Sequence, residues 1–293
     1  MIERHGVRNR WGIYEKALPP GTPSVVAAHA ARAGYDFIEL AIDESFERLA
    51  RLDWTADERA EVRRAVKEAG ASIDTLTLSA HRRYPWGSAD PAVRSRAAAL
   101  ARDTIDLTAD LGAGCVQIAG YFTFYEPTTR PARGWFLDGL AAAADYAAAR
   151  NVILALENMD GTDVLSVDDA LSVIAEVPAV RLYVDVGNLA GNQLPVLEQL
   201  ATALPYAHAI QLKDARPGEF RRVPFGKGSV PFVDILTFLQ NVGYTGPLSV
   251  EMWNDDGSPT LATDAAHWFR RIIDSETRPA EPDTGCTCGP AHL

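Results

Sequence analysis

The feature that most limits how this chain folds is a repeated unit, an apolar run followed by a stretch with helical periodicity, occurring eight times. The runs are WGIYEK (11–16), DFIELAI (36–42), SIDTLTLSA (72–80), CVQIAGY (115–121), VILALE (152–157), RLYVDV (181–186), HAIQLKD (208–214) and PLSVEMW (247–253). Helix-like stretches follow them near 22–34, 56–70, 90–111, 132–150, 166–177, 193–204, 231–243 and 259–274. Repeated strand–helix units place parallel strands under a cover of helices, and eight of them close into a ring. The expected fold is therefore a single α/β domain, a (β/α)8 TIM barrel over residues 1–276. The structural alternative is an open doubly wound sheet, but no Gly-x-Gly-x-x-Gly follows the first run to mark a dinucleotide site.

Composition narrows the partners. A net charge of −11 opposes binding to nucleic acid, whose phosphates need a basic surface. No apolar run approaches the roughly 20 residues that span a bilayer. The opening MIERHGVRNRWG lacks the apolar centre of a signal peptide, and three cysteines do not make a disulfide framework, so the expected compartment is the cytoplasm. Residues 277–293, ending RPAEPDTGCTCGPAHL, read as a flexible tail. Cys286, Cys288 and His292 there lack the four ligands and spacing of a structural zinc site.

Three of the apolar runs lead directly into an acid at or near their ends: Glu157, Asp185 and Glu251. Side chains alternate along a strand. With Leu154 and Leu156 turned toward the helices, Glu157 points inward. With Leu182 and Val184 outward, Asp185 points inward, and with Leu248 and Val250 outward, so does Glu251. All three then meet at the C-terminal mouth of the barrel, where such folds carry their active sites. A helix cap or a salt bridge explains any one of them. Three buried carboxylates at matching parity repel one another unless a cation sits between them, which points to a divalent metal. The same alternation on the seventh run turns Gln211 inward and His208 outward, so Gln211 is the expected fourth ligand. Its amide oxygen suits a hard divalent cation.

The strings GIYEKALP, RLDW, LSAHRRYPWGS, QIAGY, DVGN, LKDARPGEF, VPFGKG and VEMW, in this order over residues 10–274, resemble the xylose isomerase-like TIM barrels that epimerise or isomerise ketoses. Within that family they are most similar to the L-ribulose-5-phosphate 3-epimerase group. The resemblance implies one divalent ion (Mn2+, Co2+, Mg2+ or Zn2+) held by Glu157, Asp185 and Glu251. Gln211 stands where that group has a histidine, and GKG stands where it has GEG. It also implies epimerisation at C3 of a ketopentose 5-phosphate, with Glu157 and Glu251 removing and returning the proton. Related barrels often pair, so a homodimer is expected, although no sequence feature of this chain specifies one.

A phosphorylated sugar needs cationic donors at the mouth. Lys16, Arg82, Arg83, Arg216 and Lys227 are the candidates, with His81, Asn188, Lys213 and Trp253 expected to line the sugar pocket. Tyr14, Tyr121 and Trp86 are equally consistent with packing, and Cys115 with inert core. Other readings are an epimerase or isomerase of an unphosphorylated ketose, a keto-inositol dehydratase, and a sugar-binding barrel without chemistry. DNA repair is disfavoured by the acidity and by the lack of further His and Asp metal ligands.

Overall fold

Eight parallel strands close on themselves in this computed structural model, which describes residues 3–4, 7–161 and 163–277. In chain order they are β1 (Trp11–Tyr14), β2 (Phe37–Ile42), β3 (Ser72–Leu78), β4 (Cys115–Ala119), β5 (Ile153–Glu157), β6 (Arg181–Asp185), β7 (Ala207–Leu212) and β8 (Leu248–Val250). Each strand pairs with its sequence neighbour, and β8 pairs with both β7 and β1. The covering helices are α1 (Pro23–Ala33), α2 (Ala56–Glu68), α3 (Pro91–Leu111), α4 (Ala132–Ala149), α5 (Val167–Glu176), α6 (Val196–Ala203), α7 (Phe232–Asn241) and α8 (Leu261–Thr277). Among the described residues, no helix is long and apolar enough to cross a membrane. Residues 278–293, with Cys286, Cys288 and His292 of the expected tail, lie outside the described residues.

Local chemistry sets the helix ends. Thr55 and Glu58 form a reciprocal capping box at α2, as do Ser166 and Asp169 at α5. Proline occupies the first position of α1 and α3, where a missing N–H costs nothing, and Gly34 and Gly112 end those helices in the left-handed region.

Alternation along the strands separates two cores. Ile13, Leu76, Leu156, Leu182, Val184, Ile210, Leu212, Leu248 and Val250 are buried in the large core that strands and helices share. Cys115, Ala155, Tyr183 and Ala209 form a separate cluster inside the ring. Small residues leave room there for the Tyr183 ring, whose hydroxyl donates to Glu39. Gly12 belongs to the same economy of space: a Cβ there would stand 2.0 Å from the Phe37 ring.

Two departures concern the mouth. The expected eighth strand through Trp253 stops at Val250, although the Glu251 N–H still bonds Leu212 O at 3.0 Å. Beyond it, the Asn254 N–H reaches Lys16 O at 2.8 Å, which draws the chain across the top of β1. A six-residue helix, Val186–Gly191, also begins directly after β6.

Candidate active site

Glu157 is the last residue of β5, Asp185 the last of β6, and Glu251 the first residue beyond β8. One oxygen from each lies within 4.8 Å of the others. Glu157 and Asp185 are buried, and the Glu251 side chain is 12% exposed. Asp185 does serve as a helix cap: its Oδ1 accepts the Asn188 N–H at 2.9 Å and starts the helix Val186–Gly191. Its other oxygen, Oδ2, is turned to the Lys213 ammonium, so capping and ion pairing are shared between the two atoms of one carboxylate. Asn158 fixes that turn by accepting from the Asp185 N–H and donating to the Asp185 carbonyl, each at 2.9 Å.

Lys213, just past β7, places its ammonium 2.6 Å from Asp185 Oδ2 and 3.1 Å from Glu251 Oε2, while donating to Asn188 Oδ1 at 2.8 Å. Gly187 permits this approach, since a Cβ there would lie 2.5 Å from the Lys213 carbonyl oxygen. The ammonium is at ion-pair distance, yet neither Asp185 Oδ2 nor Glu251 Oε2 receives a well-directed hydrogen bond. Three carboxylates against one ammonium leave two negative charges in a buried space. Burial, with Glu251 and Asp185 close by, pushes the Glu157 carboxyl well above its usual range. Burial also raises Asp185 to about 6 against the pull of Lys213. Burial lowers the Lys213 ammonium, but Asp185, Glu251 and Glu157 outweigh it and raise the pKa above its ordinary value. A divalent cation fits this arrangement in charge, in the all-carboxylate donor set, and in the two buried oxygens that no hydrogen bond satisfies.

Gln211 points inward as alternation requires. It is level with Asp185 on β6 and with Ser249 on β8, and it is buried. Its Oε1 accepts from Gln117 Nε2 at 3.0 Å, and the same nitrogen donates to Glu157 Oε2 at 2.9 Å. Gln117 in turn accepts from Thr77 Oγ1 at 2.8 Å. The sequence reading missed Gln117. The signal was a polar residue at interior parity within CVQIA, between Cys115 and Ala119. The same signal marks Glu39 within FIELAI.

The mouth encloses about 510 Å³, part of it open to solvent. Lys16, Arg82, Asn188, Lys213, Glu157, Glu251 and Trp253 all line it. Lys16 is paired with Asp43 at 2.7 Å, and the Trp253 ring lies under both Lys213 and Arg221. Four expected binders are not brought there. His81 faces the helices, with Nε2 3.1 Å from Ala97 O and its ring against Trp86 at 4.3 Å, because the turn after β3 rotates it away from the mouth. Arg83 is exposed beside the Tyr84 ring. Arg216 spends its guanidinium on Glu219 and on the Lys227 carbonyl, and Lys227 is exposed in that outer loop. Conversely, Ser79, Asp160 and Arg221 line the mouth without having been anticipated. They sit in loops where periodicity carries no information. Tyr14 also lines it, Tyr121 donates from its hydroxyl to Asp160, and Trp86 packs on the helix side.

Residues 27–272 match the family described as xylose isomerase-like TIM barrel. The chain belongs to that family. Among its relatives, "L-ribulose-5-phosphate 3-epimerase UlaE" of Shigella boydii serotype 18 is 38% identical over 254 residues, covering 86% of this chain and 89% of that protein. The protein of the same name from Salmonella paratyphi C is 39% identical over 247 residues, covering 83% and 87%. Among solved structures, a D-psicose 3-epimerase with D-tagatose from Clostridium cellulolyticum H10 superposes with a TM-score of 0.75 at 16% identity, covering 90% of this chain and 99% of that one. That likeness concerns the fold. Within this xylose isomerase-like barrel, the acids at the ends of β5, β6 and β8 form a group of three potential metal ligands among the described residues.

Proposed function

We propose that the protein is a metal-dependent 3-epimerase of a ketopentose 5-phosphate, of the L-ribulose 5-phosphate and L-xylulose 5-phosphate type. The observation that carries this reading is the convergence of Glu157, Asp185 and Glu251 within 4.8 Å of one another at the mouth of the barrel. It is supported by the relatives' common name and by the extent of the match.

The reaction needs a proton removed from the carbon beside a ketone and one returned to its other face. Glu157, Asp185 and Glu251 would hold a divalent cation, with Gln211 as the fourth ligand, and that cation would supply Lewis acidity for the ketone oxygen. Glu157 and Glu251 exchange the proton. Glu157 suits the task because burial raises its basicity, and general acid–base groups work best with pKa values near the operating pH. Amide donors hold both of its oxygens: Asn188 Nδ2 at 3.3 Å from Oε1 and Gln117 Nε2 at 2.9 Å from Oε2. Fixing the carboxylate in this way aims its lone pairs and removes the entropic cost of orienting it. Lys213 tempers the negative charge of the group, and its ammonium lies 5.8 Å from the centre of the Trp253 ring.

The test is proton exchange in D2O followed by NMR, with L-xylulose 5-phosphate and the ion-loaded protein. Deuterium entering at C3 as the second epimer accumulates is the expected result. Deuterium confined to C1, or none at all with any pentulose phosphate, overturns the assignment.

A further inference from the structure

Glu39 on β2 is fully buried inside the barrel, yet it neither lines the mouth nor pairs with a cation among the described residues. Its Oε1 accepts from the Tyr183 hydroxyl. Its Oε2 receives no directed hydrogen bond. The Ser249 hydroxyl, also fully buried, is close enough to act on the Glu39 carboxyl but has no directed partner either. The ring order β8-β1-β2-β3-β4-β5-β6-β7 sets β2 and β6 on opposite walls, so the bond to Tyr183 crosses the barrel. Tyr183 precedes Asp185 by two residues on β6 and is level with Glu157 on β5. Ser249 precedes Glu251 by two residues and is level with Gln211 on β7. One carboxyl group on β2 therefore addresses the two strands that lead into Asp185 and Glu251, on the side of those acids away from the mouth.

A buried acid with one oxygen unserved costs free energy, and an apolar side chain fills the same space without that cost. Packing alone does not account for Glu39. Burial raises its pKa to about 7, with Glu251 adding to the rise and the hydroxyls of Tyr183 and Ser249 opposing it. Both protonation states can hold the two hydroxyls. The carboxylate accepts from each, and the neutral acid accepts from Tyr183 at one oxygen and donates to Ser249 from the other.

We propose that Glu39 is a positioning residue for the ion site, a brace across the barrel that fixes Tyr183 and Ser249 and through them the spacing of Asp185 and Glu251. It touches neither the ion nor the sugar and acts through β6 and β8. The assignment rests on the shared-cation reading of Glu157, Asp185 and Glu251. Residues that orient metal ligands from behind contribute about 10–100-fold to affinity, which sets the size of the effect.

The experiment titrates Mn2+ into wild type and variants at pH 7, followed by electron paramagnetic resonance, and measures C3 deuterium exchange of L-xylulose 5-phosphate separately. Glu39→Leu is expected to weaken Mn2+ binding by about 10–100-fold. Tyr183→Phe should weaken it in the same direction, and the double variant should bind no more weakly than Glu39→Leu, because both changes cut the same contact. Glu39→Gln keeps an oxygen for Tyr183 and an amide donor for Ser249, so it should stay within about threefold of wild type, a rescue that turns on hydrogen bonding rather than on charge. Glu39→Leu and Tyr183→Phe that bind Mn2+ as tightly as wild type, or Glu39→Gln as weak as Glu39→Leu, overturn the proposal. If Glu39→Leu fails to fold, Tyr183→Phe against Glu39→Gln decides the question. Wild type that binds Mn2+, with the predicted losses in the variants but no exchange at C3, refutes the epimerase reading and leaves the brace standing.

Discussion

Replacing Lys213 by methionine removes the one cation among the described residues that contacts the carboxylate group directly, while keeping most of the side-chain volume. The ammonium is 6% exposed and stands at 2.6 Å from Asp185 and 3.1 Å from Glu251. Removing one partner of a buried ion pair costs about 3–5 kcal/mol, because the remaining charge is left uncompensated. For a domain of this size each kcal/mol moves the melting temperature by about 2–4 °C, so the metal-free variant should melt about 6–20 °C below the metal-free wild type. The assay is thermal unfolding at pH 8, where the acids gain least relief by taking up protons. Saturating Mn2+ or Mg2+ should recover more stability in the variant than in the wild type, since the ion no longer competes with an ammonium for the same oxygens. A metal-free variant that melts within 2 °C of wild type, or a rescue no larger than that of wild type, would refute the reasoning.

Glu157→Gln and Glu251→Gln are each expected to lower kcat by about 10²–10⁴-fold, with C3 deuterium exchange in D2O falling in step. Gln211→His replaces an amide oxygen with an imidazole nitrogen and should raise the Zn2+ to Mg2+ affinity ratio by about tenfold or more, measured by competition titration. His81 gives a pH-dependent stability. Burial lowers its pKa from 6.5 to about 4, so the unfolded chain binds a proton that the folded chain refuses. That contribution is full above pH 6.5 and is lost as pH falls toward 4, for about 3 kcal/mol. Urea unfolding of wild type and His81→Phe at pH 7 and pH 4.5 should show the variant losing less.

Much of this was legible because two simple periods run through the chain. Alternation of strand and helix gave the barrel, and alternation within strands turned Glu157, Asp185, Gln211 and Glu251 inward. It failed for His208, expected to face outward: the register between β6 and β7 shifts there, so Ala207 packs on the outer core and the half-buried His208 ring lies 6.5 Å from the interior Tyr183 ring. The same rule would have found Gln117 and Glu39 had it been applied to every strand. It gives no guidance beyond the strand ends. His81 and Arg82 are adjacent in sequence, yet the short turn Ala80–Arg82 sends one to the helices and the other to the cavity. Arg221 reaches the mouth from a loop in which Arg216, Arg222 and Lys227 stay outside, and backbone geometry rather than composition decides that difference.

The most direct test of the shared-cation account is Mn2+ binding followed by electron paramagnetic resonance on wild type, Asp185→Asn and Glu251→Gln. The account predicts one tight Mn2+ per chain in the wild type and a large loss of affinity in each variant. Wild-type protein that binds no ion, or variants that bind Mn2+ as tightly as the parent, would contradict it.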